Sequence, residues 1–118
     1  MRAKDAVGAY GERVAARHLT EAGLVVLARN WRCAHGELDI IARDGPTLVF
    51  CEVKTRRGEQ FGSPAEAVVP AKVRRIRQLA SLWLAGSGLR PGEIRFDVLS
   101  VCPQPAGPAR VEHLRGAF

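Results

Sequence analysis

The chain has 118 residues, of which 47% are hydrophobic, and its 18 lysines and arginines against 12 acids give a formal net charge of +6. That length suits one globular domain spanning residues 1–118 and leaves no room for a second core, while the basic balance favours an anionic partner such as nucleic acid. Three cysteines, Cys33, Cys51 and Cys102, are odd in number and share no C-x-x-C spacing, which argues against a disulfide framework and a zinc knuckle.

The amino terminus, Met1-Arg2-Ala3-Lys4-Asp5, has no apolar signal core, and the longest uncharged stretch, Gln78 to Leu89, is too short to span a bilayer. A cytoplasmic protein with no membrane partner is therefore expected. From Asp5 to Ala22, Val7, Gly11, Val14, Ala15, His18, Leu19 and Ala22 recur at helical spacing, and Gly23 stands at the usual stop position. Three strand-like segments follow, Leu24 to Arg32, Glu37 to Arg43 and Thr47 to Thr55, separated by turn signals at Ala34-His35-Gly36 and Asp44-Gly45-Pro46. Such short connections predict an antiparallel meander.

Ser63-Pro64-Ala65-Glu66 carries a capping-box pattern with proline at the first helical position, so a helical turn is expected there. Pro70 breaks or restarts that helix. Beyond it Val73, Ile76, Leu79, Ala80 and Trp83 form an apolar stripe that ends at Gly86 and Gly88, with Lys72, Arg74, Arg75 and Arg77 largely off the stripe. Ile94 to Val101 alternates as a strand, and the long helical connection before it permits parallel pairing. Pro103 to Pro108 reads as a loop, with a short edge strand at Arg110 to Leu114. The fold class expected is α/β, a central mixed sheet flanked by helices in the order α-β-β-β-α-β(-β).

The chemistry concentrates in two of these strands. Asp39 interrupts Gly36-Glu37-Leu38-Asp39-Ile40-Ile41, and Glu52-Val53-Lys54 ends the apolar run Leu48-Val49-Phe50-Cys51. Alternation puts Glu37 and Asp39 on one face of the first strand and Glu52 and Lys54 on one face of the second. Hard divalent cations take one or two carboxylates together with water and phosphate oxygens, so Asp39 and Glu52 make a candidate magnesium site. Lys54 could neutralise charge building on a phosphate transition state, or simply pair with the acids. The bland alternative is a pair of solvent-facing acids on a half-exposed sheet.

Glu12 has only Gly8, Ala9, Ala15 and Ala16 at the i±3 and i±4 positions of its helix, so no cation pairs with it there and the helix can lie close to the sheet. Glu37 is a weaker candidate, with a hydrogen-bonding or turn-stabilising role as its alternative. Arg56, Arg57, Lys72 and Arg75, with Arg74 and Arg77, flank the acids and match phosphate chemistry, although a charge run is commonly just a solvated face. Cys33-Ala34-His35 reads as turn chemistry rather than a metal site.

The combination of Gly11-Glu12, Arg29-Asn30, Gly36-Glu37-Leu38-Asp39, Phe50-Cys51-Glu52-Val53-Lys54-Thr55-Arg56, Phe61-Gly62, Lys72 and Arg95-Phe96-Asp97-Val98 resembles the bacterial YraN family, from about Gly8 to the carboxyl terminus. That family is similar in fold to the PD-(D/E)XK nucleases, restriction-endonuclease-like enzymes, and especially to archaeal Holliday-junction resolvases. The resemblance implies Asp39, Glu52 and the carbonyl of Val53 as metal ligands, Lys54 as the catalytic lysine, and Glu12 as a helix-borne acid reaching the metal directly or through water. Leu38 departs from it, standing where many of those nucleases have proline. The expected activity is magnesium-dependent hydrolysis of DNA, with manganese as a substitute and branched or distorted DNA among the candidate substrates. A two-fold homodimer would suit the cutting of two strands. The alternatives are a noncatalytic nucleic-acid-binding module on the same fold and a protein-interaction domain with a solvated acidic cluster.

Overall fold

The computed structural model describes residues 6–56 and 68–118. Helix α1 spans Ala6–Glu21 and buries Gly11, Glu12, Ala15 and Leu19 along one stripe. It stops as the sequence indicates. Gly23 adopts φ 97°, its N–H reaches the carbonyl of Thr20 at 3.0 Å, and the N–H of Leu24 reaches that of Leu19 at 2.9 Å, closing the helix with a Schellman pair of bonds. Leu24, 3% exposed, tucks its side chain into the core at that corner.

Strands β1 (Val25–Cys33), β2 (Gly36–Asp44) and β3 (Thr47–Thr55) form the expected antiparallel meander. The chain then crosses through α2 (Pro70–Ser87) to β4 (Glu93–Cys102), which pairs with β3 in parallel, and β5 (Arg110–Leu114) returns antiparallel to β4. The strands lie in the order β1-β2-β3-β4-β5, a mixed five-stranded sheet. Pro70 begins α2 because proline's fixed φ suits the first helical position, and Gly88, at φ 76°, caps its far end. The helical turn expected at Ser63-Pro64-Ala65-Glu66 lies outside the described residues.

Alternation along β3 divides the core in two. Val49 and Cys51 join Ala15 and Leu19 of α1, together with Ile40, Ala42, Leu99 and Val101. Leu48 and Phe50 join Ile76, Leu79 and Ala80 of α2, together with Leu38, Ile41 and Phe96. One helix therefore covers each face, the arrangement a sheet with an apolar run on both sides demands.

Contact between α1 and the sheet is tightest at Gly11. A Cβ at that position would lie 1.8 Å from Thr55 Oγ1, 2.9 Å from its Cβ and 3.0 Å from its Cγ2, so no rotamer of Thr55 clears it. Gly11→Ala is expected to destabilise the protein by about 1–3 kcal/mol despite alanine's better helix propensity, through overpacking. Adding Thr55→Gly should recover much of that loss, and urea midpoints of the two single variants and the double variant measure the coupling.

Candidate functional site

β2 and β3 pair from Asp44↔Thr47 as far as Ile40↔Cys51, and there the side chain of Asp39 takes over from the backbone ladder. Its Oδ2 accepts the N–H of Val53 at 2.9 Å. β3 meanwhile stays paired with β4 to Thr55↔Val101, while Glu37 and Leu38 of β2 pair with Arg32 and Trp31 of β1. Beyond Ile40 the two central strands thus follow different neighbours, and a cleft of about 860 Å³ opens beside them. Asp39, Glu52 and Val53 line it, facing Lys72, Arg75, Ile76 and Leu79 of α2, with Arg32 to Glu37 from the β1–β2 hairpin forming the rest of the wall.

α2 reaches the cleft by its first three turns. Lys72, Arg75, Ile76 and Leu79 are spaced i, i+3, i+4 and i+7 and so share one helical face. Ile76 and Leu79 seat that face in the core. Gly36, at φ 142°, lets the hairpin pass against it, since a Cβ there would stand 3.3 Å from Leu79 Cδ1. Lys72 then extends to Glu52, its Nζ 2.8 Å from Oε1, with the two side chains 25% and 17% exposed.

The sequence-predicted residues divide accordingly. Asp39, Glu52, Val53, Lys72 and Arg75 come together in the cleft. Lys54 is exposed and does not line it. Glu12 is 1% exposed on the buried stripe of α1, next in sequence to the Gly11–Thr55 contact, and does not line the cleft. Glu37 lines the cleft and binds Arg32 Nε, the hydrogen-bonding role that was its alternative reading. The backbone N–H of Arg56 donates to the carbonyl of Val101 at 2.8 Å, and Arg57 lies outside the described residues. Arg77 points elsewhere, its guanidinium 5.1 Å from the centre of the Phe96 ring.

Two features escaped the sequence reading. Lys72, a candidate phosphate contact, also pairs with Glu52, and Arg32 and His35 enter the cleft wall from the β1–β2 hairpin. The i, i+3, i+4, i+7 face of α2 was the available signal for Lys72. No three His, Cys, Asp or Glu side chains gather into a cation site among the described residues; of the three acids lining the cleft Glu37 binds Arg32, which leaves Asp39 and Glu52 as the candidate pair. Two carboxylates completed by water and phosphate oxygens are enough for magnesium, whose sites rarely use an all-protein cage.

Among the described residues, no helix is long and apolar enough to cross a membrane. The profile of the Uncharacterised protein family UPF0102 matches residues 11–101. A UPF0102 protein of Frankia alni is 62% identical over 118 residues, covering all of this chain and 98% of its own length. One of Salinispora arenicola is 62% identical over 117 residues, covering 99% and 98%, and one of Beutenbergia cavernae is 60% identical over 116 residues, covering 98% of each.

Proposed function

The chain belongs to the UPF0102 family, and from that premise and its cleft we propose that it is a metal-dependent nuclease of the PD-(D/E)XK type, hydrolysing phosphodiester bonds of DNA. The observation that carries this reading is the meeting of Asp39 and Glu52 with Lys72 and Arg75 in one cleft. Acids to hold a hard cation and bases to hold phosphate are the two halves of a phosphodiester site. The αβββαβ order and the site's place where β2 and β3 part agree with the resolvase-like fold implied by the YraN resemblance.

The donor chemistry fits magnesium, with manganese as a substitute: Asp39 and Glu52 would hold it, with the carbonyl of Val53 as a further oxygen on the same strand. Bound there, the cation supplies Lewis-acid polarisation of the scissile phosphate. Arg75 supplies a planar guanidinium for the flanking phosphates, which is suited to bidentate contact. Lys54, exposed near the end of β3, would meet the substrate from the solvent side.

A specific observation favours the second reading, a noncatalytic nucleic-acid-binding module. Lys72 already neutralises Glu52, as it would if the carboxylate served only to fix α2 on the sheet. Cleavage of single-stranded, duplex, flapped and four-way-junction DNA with Mg²⁺ or Mn²⁺ separates the two. Cutting that EDTA stops, and that Lys54→Ala lowers by about 10²-fold while the fold is retained, is the result expected of the nuclease. Binding that falls steeply with salt, ignores Mg²⁺ and comes without cutting would assign the module.

A further inference from the structure

Glu52 is paired across the crossover with Lys72, the third residue of α2. A cation so near a helix N-terminus is placed against the helix dipole, and the first turn of α2 holds no acid to offset it. Its favourable partner lies across the crossover, in the carboxylate at 2.8 Å. The pair is only partly shielded, at 25% and 17% exposure, so water reaches both groups and the contact can exchange. Lysine suits exchange: its ammonium is a point charge on a four-carbon stem that can swing without giving up a bidentate geometry, as an arginine would have to.

We propose that Lys72 is a resident cation of the cleft, holding Glu52 until a divalent metal displaces it, whereupon its ammonium is released to an anionic substrate oxygen in the same cleft. This rests on the reading of Asp39 and Glu52 as metal-binding acids. The device keeps the acidic pair compensated before metal arrives and couples metal entry to the appearance of a free cation facing substrate. The helix N-terminus adds to the second step, because the dipole that disfavours Lys72 also favours a phosphate beside it. Metal affinity is thereby lowered by whatever the Lys72–Glu52 pair contributes.

Mn²⁺ binding by calorimetry, without DNA, tests this on the intact chain. Lys72→Gln is expected to tighten Mn²⁺ binding about three- to fivefold, the scale of a partly exposed ion pair. Arg74→Gln removes one positive charge from an exposed position of α2 outside the cleft lining and controls for the general field, with a change below about twofold expected from screening. Lys72→Arg retains a cation on Glu52 and should bind Mn²⁺ no more tightly than the native chain. Circular dichroism confirms that each variant is folded. Native binding with unchanged or weaker affinity in Lys72→Gln, or equal tightening in Lys72→Gln and Arg74→Gln, overturns the displacement while leaving the metal site standing. No saturable Mn²⁺ binding in the native chain or any variant overturns both the displacement and the metal reading beneath it.

Discussion

Asp97→Ala is expected to lower stability by about 3 kcal/mol or more, read as a shift of the urea midpoint, because it strips the shared acceptor from a buried network. Asp97 is fully buried, with Arg95 Nε 2.9 Å from Oδ1 and Arg95 Nη2 3.0 Å from Oδ2. His113 Nε2 lies 2.8 Å from Oδ2, and the N–H of Gly116 donates to Oδ1 at 3.0 Å. Arg95 continues to Asp44 at 3.0 Å, so one carboxylate ties β4 to β5, to the carboxyl-terminal segment and, through Arg95, to the β2–β3 turn. Removing it leaves a guanidinium and an imidazole half-desolvated without their common partner, a greater loss than an exposed pair would cause.

The same network fixes an acid dependence. Burial opposes ionisation of Asp97, but hydrogen bonds from His113, Arg95 and Gly116 overcome it and bring its carboxyl down to about 2. A carboxyl depressed in the folded state stabilises fully above its ordinary value and loses that contribution as pH falls through the folded one. For Asp97 that window runs from about 4 down to about 2. Asp97→Asn, which cannot titrate, should show a smaller fall in urea midpoint across this window than the native chain. Nearby His18 adds acid sensitivity higher up, since burial and the neighbouring His113 lower its pKa and protonation there works against the fold.

What the sequence disclosed and what it withheld follow from the range of the forces involved. Element order was legible because its determinants are local: Gly23 must take positive φ to end α1, Pro70 must start a helix rather than continue one, and Leu48 to Cys51 is apolar on both faces because both faces are covered. The close approach of α1 was also foreseeable, since small residues around Glu12 allow it and Gly11 against Thr55 realises it. Direction was harder. Glu12 lies on the buried stripe of α1, and the docking of that helix, which no local pattern encodes, decides what the stripe meets. Lys72 meets Glu52 through the geometry of a crossover that no local pattern encodes. The Asp97 network needs His113 from β5 and Gly116 from the turn beyond it, so the sequence of β4 alone could not reveal it. Arg77 belonged to a basic run in the sequence, yet the rings of Phe96 and Phe118 draw it away from the cleft.

Asp39→Asn is expected to abolish metal-dependent cutting by about 10³-fold or more while leaving the fold nearly as stable as the native one, and the contrast with Asp39→Ala separates the residue's two roles. One oxygen of Asp39 accepts the N–H of Val53 where the β2–β3 ladder stops. An asparagine carbonyl can take that same hydrogen bond but brings no negative charge, so Val53 stays satisfied while the electrostatic partner of a divalent cation is lost. A loss of about 10³ corresponds to ~4 kcal/mol of barrier, the scale seen when one preorganised electrostatic group at a reacting centre is removed. Asp39→Ala should lose the cutting and in addition about 1–3 kcal/mol of stability, because the Val53 N–H is left without its acceptor beside a largely buried strand. Thermal melts alongside single-turnover cleavage read both quantities. An Asp39→Asn chain that still cuts in an EDTA-sensitive way would reduce Asp39 to a backbone bracket and leave Glu52 as the remaining carboxylate of the pair. A chain that is stable but inert would show that the oxygen not bonded to Val53 does chemical work.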